Sequence, residues 1–224
     1  MKKLFIPLSL IAVFSCGQQE PINSKAKQSN SKFEPLLAQF KDIGIDTLQV
    51  YSTQDSTDIM SGRAIDSIGA SFFPEEMAQA HFHEPPSLFA IYKFSIDKNR
   101  LGLLARTPSE YVPSSIKLFI FDSAKDSITS YIELGETIGD AGDYMIKNTW
   151  IFKDTSSKHL QALVNITQGH DNSVDNPKDT TVKEDEYYSL LDLSKPRIDT
   201  IFADKEQLPN KYKMVVRDRK RLGL

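Results

Sequence analysis

The sequence predicts a mostly β protein, in which an antiparallel meander of about eight or nine strands follows two short N-terminal helices. From Leu88 onward, apolar and polar residues alternate with the period of two that is typical of half-buried strands. The short segments between these runs are rich in Asp, Asn and Ser, which favour tight turns. Helical spacing of apolar residues is confined to two short stretches before Leu88. We therefore expect a single β-rich domain over residues 33–210.

Composition and charge limit the expected domain size, partners, disulfides and cofactors. The chain has 224 residues, of which 40% are hydrophobic and 25% are charged, enough for one domain with a core of its own. The net charge of -3 provides no broad basic field, so we expect no nucleic-acid partner. The single cysteine excludes an intramolecular disulfide. No catalytic or cofactor-binding motif is present, and we expect no cofactor.

Residues 1–15 have the organisation of a signal peptide. Lys2 and Lys3 provide a positive start, and residues 4–14 form a mainly apolar run of the length of a signal-peptide core. This run is too short to span a membrane, because a crossing helix needs about 20 predominantly apolar residues. The alternative, a buried core helix, leaves both lysines and the polar residues after the run unexplained.

The only cysteine follows this run directly. The quartet of Val13, Phe14, Ser15 and Cys16 resembles a bacterial lipobox. That resemblance implies that Cys16 becomes the first residue of the mature chain and takes a diacylglyceryl group on its thiolate. In the lipoprotein class the new amine is usually acylated as well, and two or three acyl chains hold a protein stably in a membrane. In enterobacterial lipoproteins, an aspartate directly after the lipidated cysteine retains the protein in the inner membrane. Gly17 occupies that position here, so the resemblance implies the outer membrane.

The chain as a whole resembles small lipoproteins of Bacteroidota, through the signal and phrases such as "ARTPSEYVPSSIKLFIFD" and "DNSVDNPKDTT". This resemblance implies no particular activity. Residues 16–32 are predicted to be the lipidated cysteine and a flexible tether, because they are rich in Gln, Asn, Ser and Lys. The expected location is thus the outer membrane, on its periplasmic face or at the cell surface, with the lipid anchor as the membrane contact.

The folded part begins with a predicted helix in "FEPLLAQFKD", from residue 33, and continues with a strand over residues 45–51. A second helix is predicted in "SFFPEEMAQAHFHEPP", where Pro74 fits a first turn and Pro85 and Pro86 end the helix. Eight further strands are predicted over residues 89–96, 101–106, 116–121, 128–134, 146–152, 160–167, 186–193 and 198–202.

The last eight strands form two sets of four with similar connections, a weak repeat of the kind that propeller blades show. Two blades cannot close a propeller. The expected architecture is therefore one curved sheet or a two-sheet sandwich, with the helices covering an edge or end.

The three longest connections, over residues 107–115, 135–144 and 168–185, fall at the same end of such a meander because successive connections alternate between ends. Long loops in a compact domain are often functional. The candidate ligand-binding residues on this rim are Arg106, Glu110, Tyr111, Asp140, Asp143, His170, Asp171 and Asp175. A solvated acidic surface is the alternative interpretation.

Three smaller patterns have a functional and a plain interpretation. His81 and His83 have zinc-ligand chemistry, but side chains two apart on a helix diverge. The segment "DNSVDNPKD" offers oxygen ligands for calcium but lacks the glycine and terminal glutamate of an EF-hand loop. The basic tail, residues 211–224, is either a solvated end or a contact with anionic headgroups.

Two functional hypotheses follow. The first is a non-catalytic, membrane-tethered binding or envelope-assembly module with an envelope protein or a glycan as partner. The second is a metal-assisted hydrolase that uses His170 and the loop aspartates.

Overall fold

The computed structural model describes residues 31–77, 88–109 and 115–216. The predicted signal peptide, Cys16 and most of the tether lie outside the described residues, as do the two histidines at 81 and 83 and the candidates Glu110 and Tyr111. The chain divides into residues Met1–Asn30 and a compact unit, Ser31–Leu224. None of the helices in the described ranges combines the length and apolar character that crossing a bilayer requires.

Short elements precede the main strands. They are α1 (Glu34–Leu37), β1 (Lys41–Asp42), β2 (Thr47–Tyr51), a 3-10 helix (Ile59–Ser61), β3 (Arg63–Ala64), α2 (Ser67–Ala70) and a second 3-10 helix (Glu75–Met77). The first predicted helix is confirmed as the single turn α1, with a proline in its first turn. The described residues include only one 3-10 turn of the second predicted helix, directly after Pro74. The Asp66 side chain caps α2 by accepting a hydrogen bond from the Gly69 amide.

The remaining elements follow in chain order. They are β4 (Phe89–Ser95), β5 (Arg100–Thr107), β6 (Ser115–Asp122), β7 (Ser127–Asp140), β8 (Asp143–Lys153), β9 (Leu160–Asp171), α3 (Asn172–Asp175), β10 (Val182–Asp192), β11 (Asp199–Ala203), α4 (Gln207–Lys211) and α5 (Lys213–Val216). A strand overlaps each of the nine predicted runs. The described residues contain eleven strands, more than the eight or nine predicted, because β1 and β3 have only two residues each and two residues are too few to show an alternating pattern.

All eleven strands belong to one open sheet of order β1-β4-β5-β6-β7-β8-β9-β10-β11, with β3 also paired to β4 and β2 to β8. The partner of β7 changes along its length. Residues up to Gly135 pair with β6, and residues from Glu136 pair with β8. The rest of that edge of β8, beyond its contact with β7, pairs with β2. The blade-like repeat and the sandwich stay predictions.

A β-bulge lies where β7 changes partner. Gly135 is opposite Ile116 and Glu133 is opposite Lys117, so Leu134 is an extra residue on β7. In a regular strand, residues three apart point to opposite faces. The bulge breaks that alternation, and the carboxyl groups of Glu133 and Glu136 come close enough to shift each other's pKa. A Cβ at position 135 would lie 3.1 Å from the Tyr51 carbonyl carbon, so glycine permits the close approach of β2.

In the part of the chain that the structure describes, three apolar clusters make up the core. The inner cluster joins side chains of β4 to β6, such as Leu104 and Leu118, to side chains of β8 to β10, such as Ile151 and Leu191. A second cluster packs α1 and the second 3-10 helix against β4 to β6, and a third packs α4 and α5 against β8 and β10. Each fully buried large apolar side chain contributes about 1.5–3 kcal/mol to stability.

The third cluster corrects the predicted boundary of the basic tail at residue 211. Val215 and Val216 pack against this cluster, and the Tyr212 ring lies 5.2 Å from the Phe152 ring. Folded structure therefore continues at least to Val216. The apolar residues of this segment alternate with lysines, so the sequence did not indicate that they pack against the core.

The two ends of the sheet differ in what they carry. At one end lie the turns over residues 96–99, 123–126, 154–159 and 193–198. Ser31, the first described residue, donates a hydrogen bond to Asp126 there, so the chain enters the folded unit at this end. We call it the tether end. The tip is the opposite end, formed by residues 140–143 and 170–186.

Candidate functional site

The tip begins with a tight hairpin. Ala141 and Gly142, with φ of 50° and 91°, form the two-residue turn between β7 and β8. Positive φ at both central residues is typical of a type I′ turn. The predicted connection over residues 135–144 is therefore wrong: it is mostly strand, because the alternation of side chains continues through a segment whose Asp and Gly content resembles a loop.

The predicted connection over residues 168–185 is also shorter than expected. β9 extends to Asp171 and β10 begins at Val182, which leaves α3 and a short return segment. The Asp171 carboxylate caps α3 by accepting from the Ser173 amide at 2.9 Å. Asp179 accepts from the amide and hydroxyl of Thr181, at 3.1 and 2.6 Å. These carboxylates therefore fix the backbone of the loop.

His170 connects this loop to the hairpin. Its Nδ1 lies 2.7 Å from Asp143 Oδ1, and its Nε2 lies 2.9 Å from Asp175 Oδ2. Asp143 and His170 are direct partners in the β8–β9 register. The hydrogen bonds to Asp143 and Asp175 raise the pKa of His170 against a smaller opposing effect of desolvation. We call the three residues the Asp–His–Asp clamp.

The clamp geometry bears on the predicted metal site. The two ring nitrogens of an imidazole point away from each other, so the carboxylates of Asp143 and Asp175 lie on opposite sides of His170. A single ion cannot bind the histidine and both carboxylates. Among the described residues, no group of three or more His, Cys, Asp or Glu side chains has an arrangement that holds a metal ion. The arrangement is that of an ion-paired histidine.

Negative charge dominates the tip. Two lysines, Lys178 and Lys183, stand against eight carboxylates: Asp140, Asp143, Asp171, Asp175, Asp179, Glu184, Asp185 and Glu186. A cleft of about 550 Å³ lies beside the hairpin, between residues 138–145 and residues 168 and 169. Tyr144, in its wall, donates a hydrogen bond to Glu184, which raises the pKa of the phenol to about 12. The cleft thus combines apolar side chains such as Met145 with exposed carboxylates.

Arg106 lies away from the tip. Its Nε donates to the Ser61 carbonyl at 2.8 Å, and its guanidinium lies 3.8 Å from the centre of the Phe89 ring. In the sheet register, Arg106 is opposite Ile116, and Ile116 is opposite Gly135. Gly135 precedes the end of β7 by five residues, so Arg106 lies level with a point about 17 Å along the strand from the tip. The predicted rim is therefore wrong for Arg106, whereas the residues of the second and third connections meet at the tip.

Sequence reasoning missed a second polar cluster, at the base of the β7–β8 hairpin. Lys117 Nζ lies 2.6 Å from Ser115 Oγ and 3.7 Å from Glu133 Oε2. Lys147 forms an ion pair with the other oxygen of Glu133. Ser109 donates to Glu136 at 2.6 Å. We call these side chains the buried network.

Burial changes the ionisation of the buried network. Desolvation lowers the pKa of Lys117. Burial and the neighbouring Glu133 raise the pKa of Glu136. Burial also disfavours ionised Glu133, but the hydrogen bond and charge of Lys147 outweigh it and lower the pKa of that carboxyl. One signal for this network is present in the sequence. Lys117 interrupts a run that is apolar at both odd and even positions, which indicates a strand that is covered on both faces. A lysine in such a strand needs a hydrogen-bonding or charged partner within the fold.

Comparison with protein-family models, curated proteins and solved structures finds no match for this chain. Functional inference therefore depends on the geometry of its own residues. Of the two polar clusters, the tip is the exposed one, and the buried network is internally bonded.

Proposed function

We propose that this chain is a lipid-anchored protein of the bacterial outer membrane whose folded domain is a non-catalytic binding module, with its partner site at the acidic tip. The lipobox-like quartet ending in Cys16 and the polar residues after it support the anchor. The tether joins the folded unit at Ser31, which contacts Asp126.

The separation between the tether end and the tip carries the proposal. β7 begins at Ser127, next to Asp126, and ends at Asp140 in the tip. Its 14 residues rise by at most about 3.3 Å each and the bulge at Leu134 bends the strand, so the two ends are at most roughly 40 Å apart. The tip is thus remote from Ser31, the residue through which an anchor would hold the folded unit.

The charge of the tip favours a basic partner. Its carboxylates outnumber its lysines by eight to two, and such a field accelerates association with a positively charged surface. The cleft beside the hairpin offers Ile138 and Met145 for the aliphatic part of a lysine or arginine. A basic envelope protein fits this chemistry better than a neutral glycan.

Metabolic labelling with a radioactive fatty acid tests the anchor. We expect label in the wild-type chain and none in Cys16→Ala, which leaves an uncleaved precursor. Ser15→Ala is the control, because it keeps a small residue before the cysteine and should still be labelled. Label that persists in Cys16→Ala contradicts the anchor, since the chain has no second thiol. Density-gradient separation of the two membranes tests the location.

Site-specific photo-cross-linking in cells tests the tip. A photoreactive residue at position 140 should give a protein adduct that high salt abolishes, and one at position 158, in the tether end, should not give the same adduct. A glycan partner would give an adduct that salt leaves unchanged. Absence of any adduct at position 140 contradicts the proposed site.

A further inference from the structure

We propose that the tip binds its partner by strand addition: an extended, basic peptide segment pairs with the exposed edge of β10. This inference deepens the proposed function, because it rests on the acidic tip as the partner site and names the form of the partner. It concerns the backbone of residues 182–185, on the side of β10 that faces away from β9. We call this side the open edge.

Two backbone hydrogen bonds show which residues of β10 face the open edge. The Asn172 amide donates to the Thr181 carbonyl at 3.2 Å. The Leu193 amide donates to the Leu160 carbonyl at 3.0 Å. Both bonds keep the β9–β10 register, in which bonded and non-bonded pairs alternate. Odd-numbered residues of β10 therefore bond to β9, and even-numbered residues direct their N–H and C=O groups to the other side.

β11 covers only part of that other side. It pairs with Ser189–Asp192, and the Asp204 amide donates to the Tyr188 carbonyl at 3.1 Å. Among the described strands, none pairs with the same side of β10 over residues 182–185. These residues are all exposed. Their outward N–H and C=O groups are thus a template for one more strand.

The charge of this segment favours a basic strand. Residues 178–186 contain four carboxylates and two lysines: Asp179, Glu184, Asp185, Glu186, Lys178 and Lys183. In the described residues, the salt bridges of the tip all involve His170, so neither Glu184 nor Asp185 is ion-paired there. Because side chains alternate along a strand, Glu184 and Asp185 flank an incoming strand on opposite faces. Lysines or arginines on either face of that strand therefore meet a carboxylate.

A second copy of this chain fits the open edge less well. Pairing of two open edges would place the excess of carboxylates from each copy side by side. Like charges that face each other across paired strands are destabilising. A neutral or acidic segment would likewise leave the carboxylates of the open edge without compensation. The charge of the edge therefore selects a separate, basic segment.

A cavity at the end of the open edge offers a place for an apolar side chain. It has a volume of about 310 Å³ and lies between Ile166, Tyr187 and Ala203, where β11 ends. The Tyr187 side chain is 50% exposed, so part of its ring is available to a ligand. The bound segment should therefore combine basic residues with an aliphatic residue at the end nearest β11.

Binding of a synthetic peptide to residues 17–224 tests strand addition. All three apolar clusters consist of residues from Phe33 onward, so this fragment retains the whole core. The probe is the capped peptide Lys-Val-Lys-Val-Lys-Leu, and its control is Glu-Val-Glu-Val-Glu-Leu. Fluorescence anisotropy at low salt should show binding of the basic peptide and none of the acidic peptide.

N-methylation distinguishes strand addition from charge attraction alone. A basic peptide with all of its backbone amides methylated keeps its charges and loses the N–H groups that would donate to the open edge. We expect methylation to weaken binding by about tenfold or more, because several backbone hydrogen bonds are lost.

Proline substitutions test the same contact from the side of the protein. The Glu184 N–H faces the open edge, so Glu184→Pro removes a ligand contact and no bond to β9. Asp185 belongs to the bonded set and pairs with Gln168, so Asp185→Pro should lower the melting temperature. We expect Glu184→Pro to keep nearly the wild-type melting temperature and to weaken peptide binding about tenfold. Glu184→Gln, which keeps the N–H, should weaken binding only about two- to fivefold.

Three outcomes would overturn strand addition by a peptide. They are equal binding of the methylated and unmethylated peptides, equal binding by Glu184→Pro and Glu184→Gln, and unfolding of Glu184→Pro, which would show that its N–H bonds to β9. Dimerisation that Glu184→Pro abolishes would overturn the choice of occupant in favour of a second copy.

Strand addition and the proposed function fail separately. If the methylated peptide binds as well as the unmethylated one, the tip remains a site that acts through charge alone. If a photoreactive residue at position 140 gives no adduct, the tip itself is excluded as the partner site.

Discussion

The base and the tip of the β7–β8 hairpin both carry charged side chains, but their surroundings differ. At the base, the side chains of Lys147 and Glu133 are 17% and 22% exposed. At the tip, Asp143 and Asp175 are 79% and 72% exposed, although both contact His170. Partly desolvated charges must be matched by partners within the fold, whereas exposed charges contribute little to stability. One hairpin therefore holds a group of charges that stabilises the fold and a group that stays accessible to solvent.

The largest expected effect comes from breaking the pairing at the base. Glu133→Gln leaves the Lys147 ammonium without its charged partner, and we expect a loss of about 2–3 kcal/mol at neutral pH. Because the pKa of Glu133 is lowered by folding, its contribution is present above the unfolded value near 4.5 and is lost as the pH falls through the folded value. Denaturant unfolding, followed by the fluorescence of buried Trp150, measures the difference.

Glu136→Gln is the matched control at the base. The pKa of Glu136 is raised by folding, so its contribution is present below about 4.5 and is lost as the pH rises through the folded value. We expect Glu136→Gln to be at least as stable as the wild type at pH 8. Equal destabilisation by both variants at that pH would contradict the assigned ionisation of the network.

The hairpin turn gives the next effect. Gly142→Ala places a Cβ at φ of 91° and 3.0 Å from the Asp171 carbonyl oxygen, and should cost about 1–2 kcal/mol. Ala141→Gly, the neighbouring control at φ of 50°, should cost nothing, because glycine adopts this conformation without strain. Thermal unfolding of both variants measures the effect. A loss in Ala141→Gly and none in Gly142→Ala would contradict the turn geometry.

The Asp–His–Asp clamp should have a smaller and pH-dependent effect. Folding raises the pKa of His170, so its stabilisation is fully present below the ordinary value of 6.5 and is lost as the pH rises through the folded value. The wild type should exceed His170→Gln in melting temperature at pH 5.5, and the gap should close at pH 9. NMR titration of the imidazole tests the clamp directly, and a pKa at or below 6.5 would exclude it.

The smallest expected effect is at the exposed edge of the tip. Asp140→Asn should change the free energy of unfolding by less than about 0.5 kcal/mol, because the residue is exposed. It should nevertheless reduce the cross-linked adduct formed from a photoreactive residue at position 143. A stability loss like that of Glu133→Gln would remove the distinction between base and tip.

The sequence predicted the strands well because alternation is a local signal. The runs in β4 to β11 are long enough to show it, and each overlaps a strand. The placement of Asp143 and His170 at the same end of the sheet agrees with the predicted alternation of strand direction. The change of partner along β7 did not, because it depends on a bulge at Leu134 that leaves no pattern of its own. The buried network was missed for the same reason, since Glu133 and Glu136 share a face only through that bulge.

The pairing of β2 with β8 has a consequence for the order of folding. From β4 to β11, each strand pairs with its neighbour in the chain, so these hairpins form as soon as their residues are available. β2 instead pairs Thr47 with Phe152, and its Val50 belongs to the inner cluster. When the chain becomes available from its N-terminus, β2 cannot pair until β8 has also emerged. Until then, β2 is an unpaired strand and an open template for pairing with other chains, so folding depends on protection of β2.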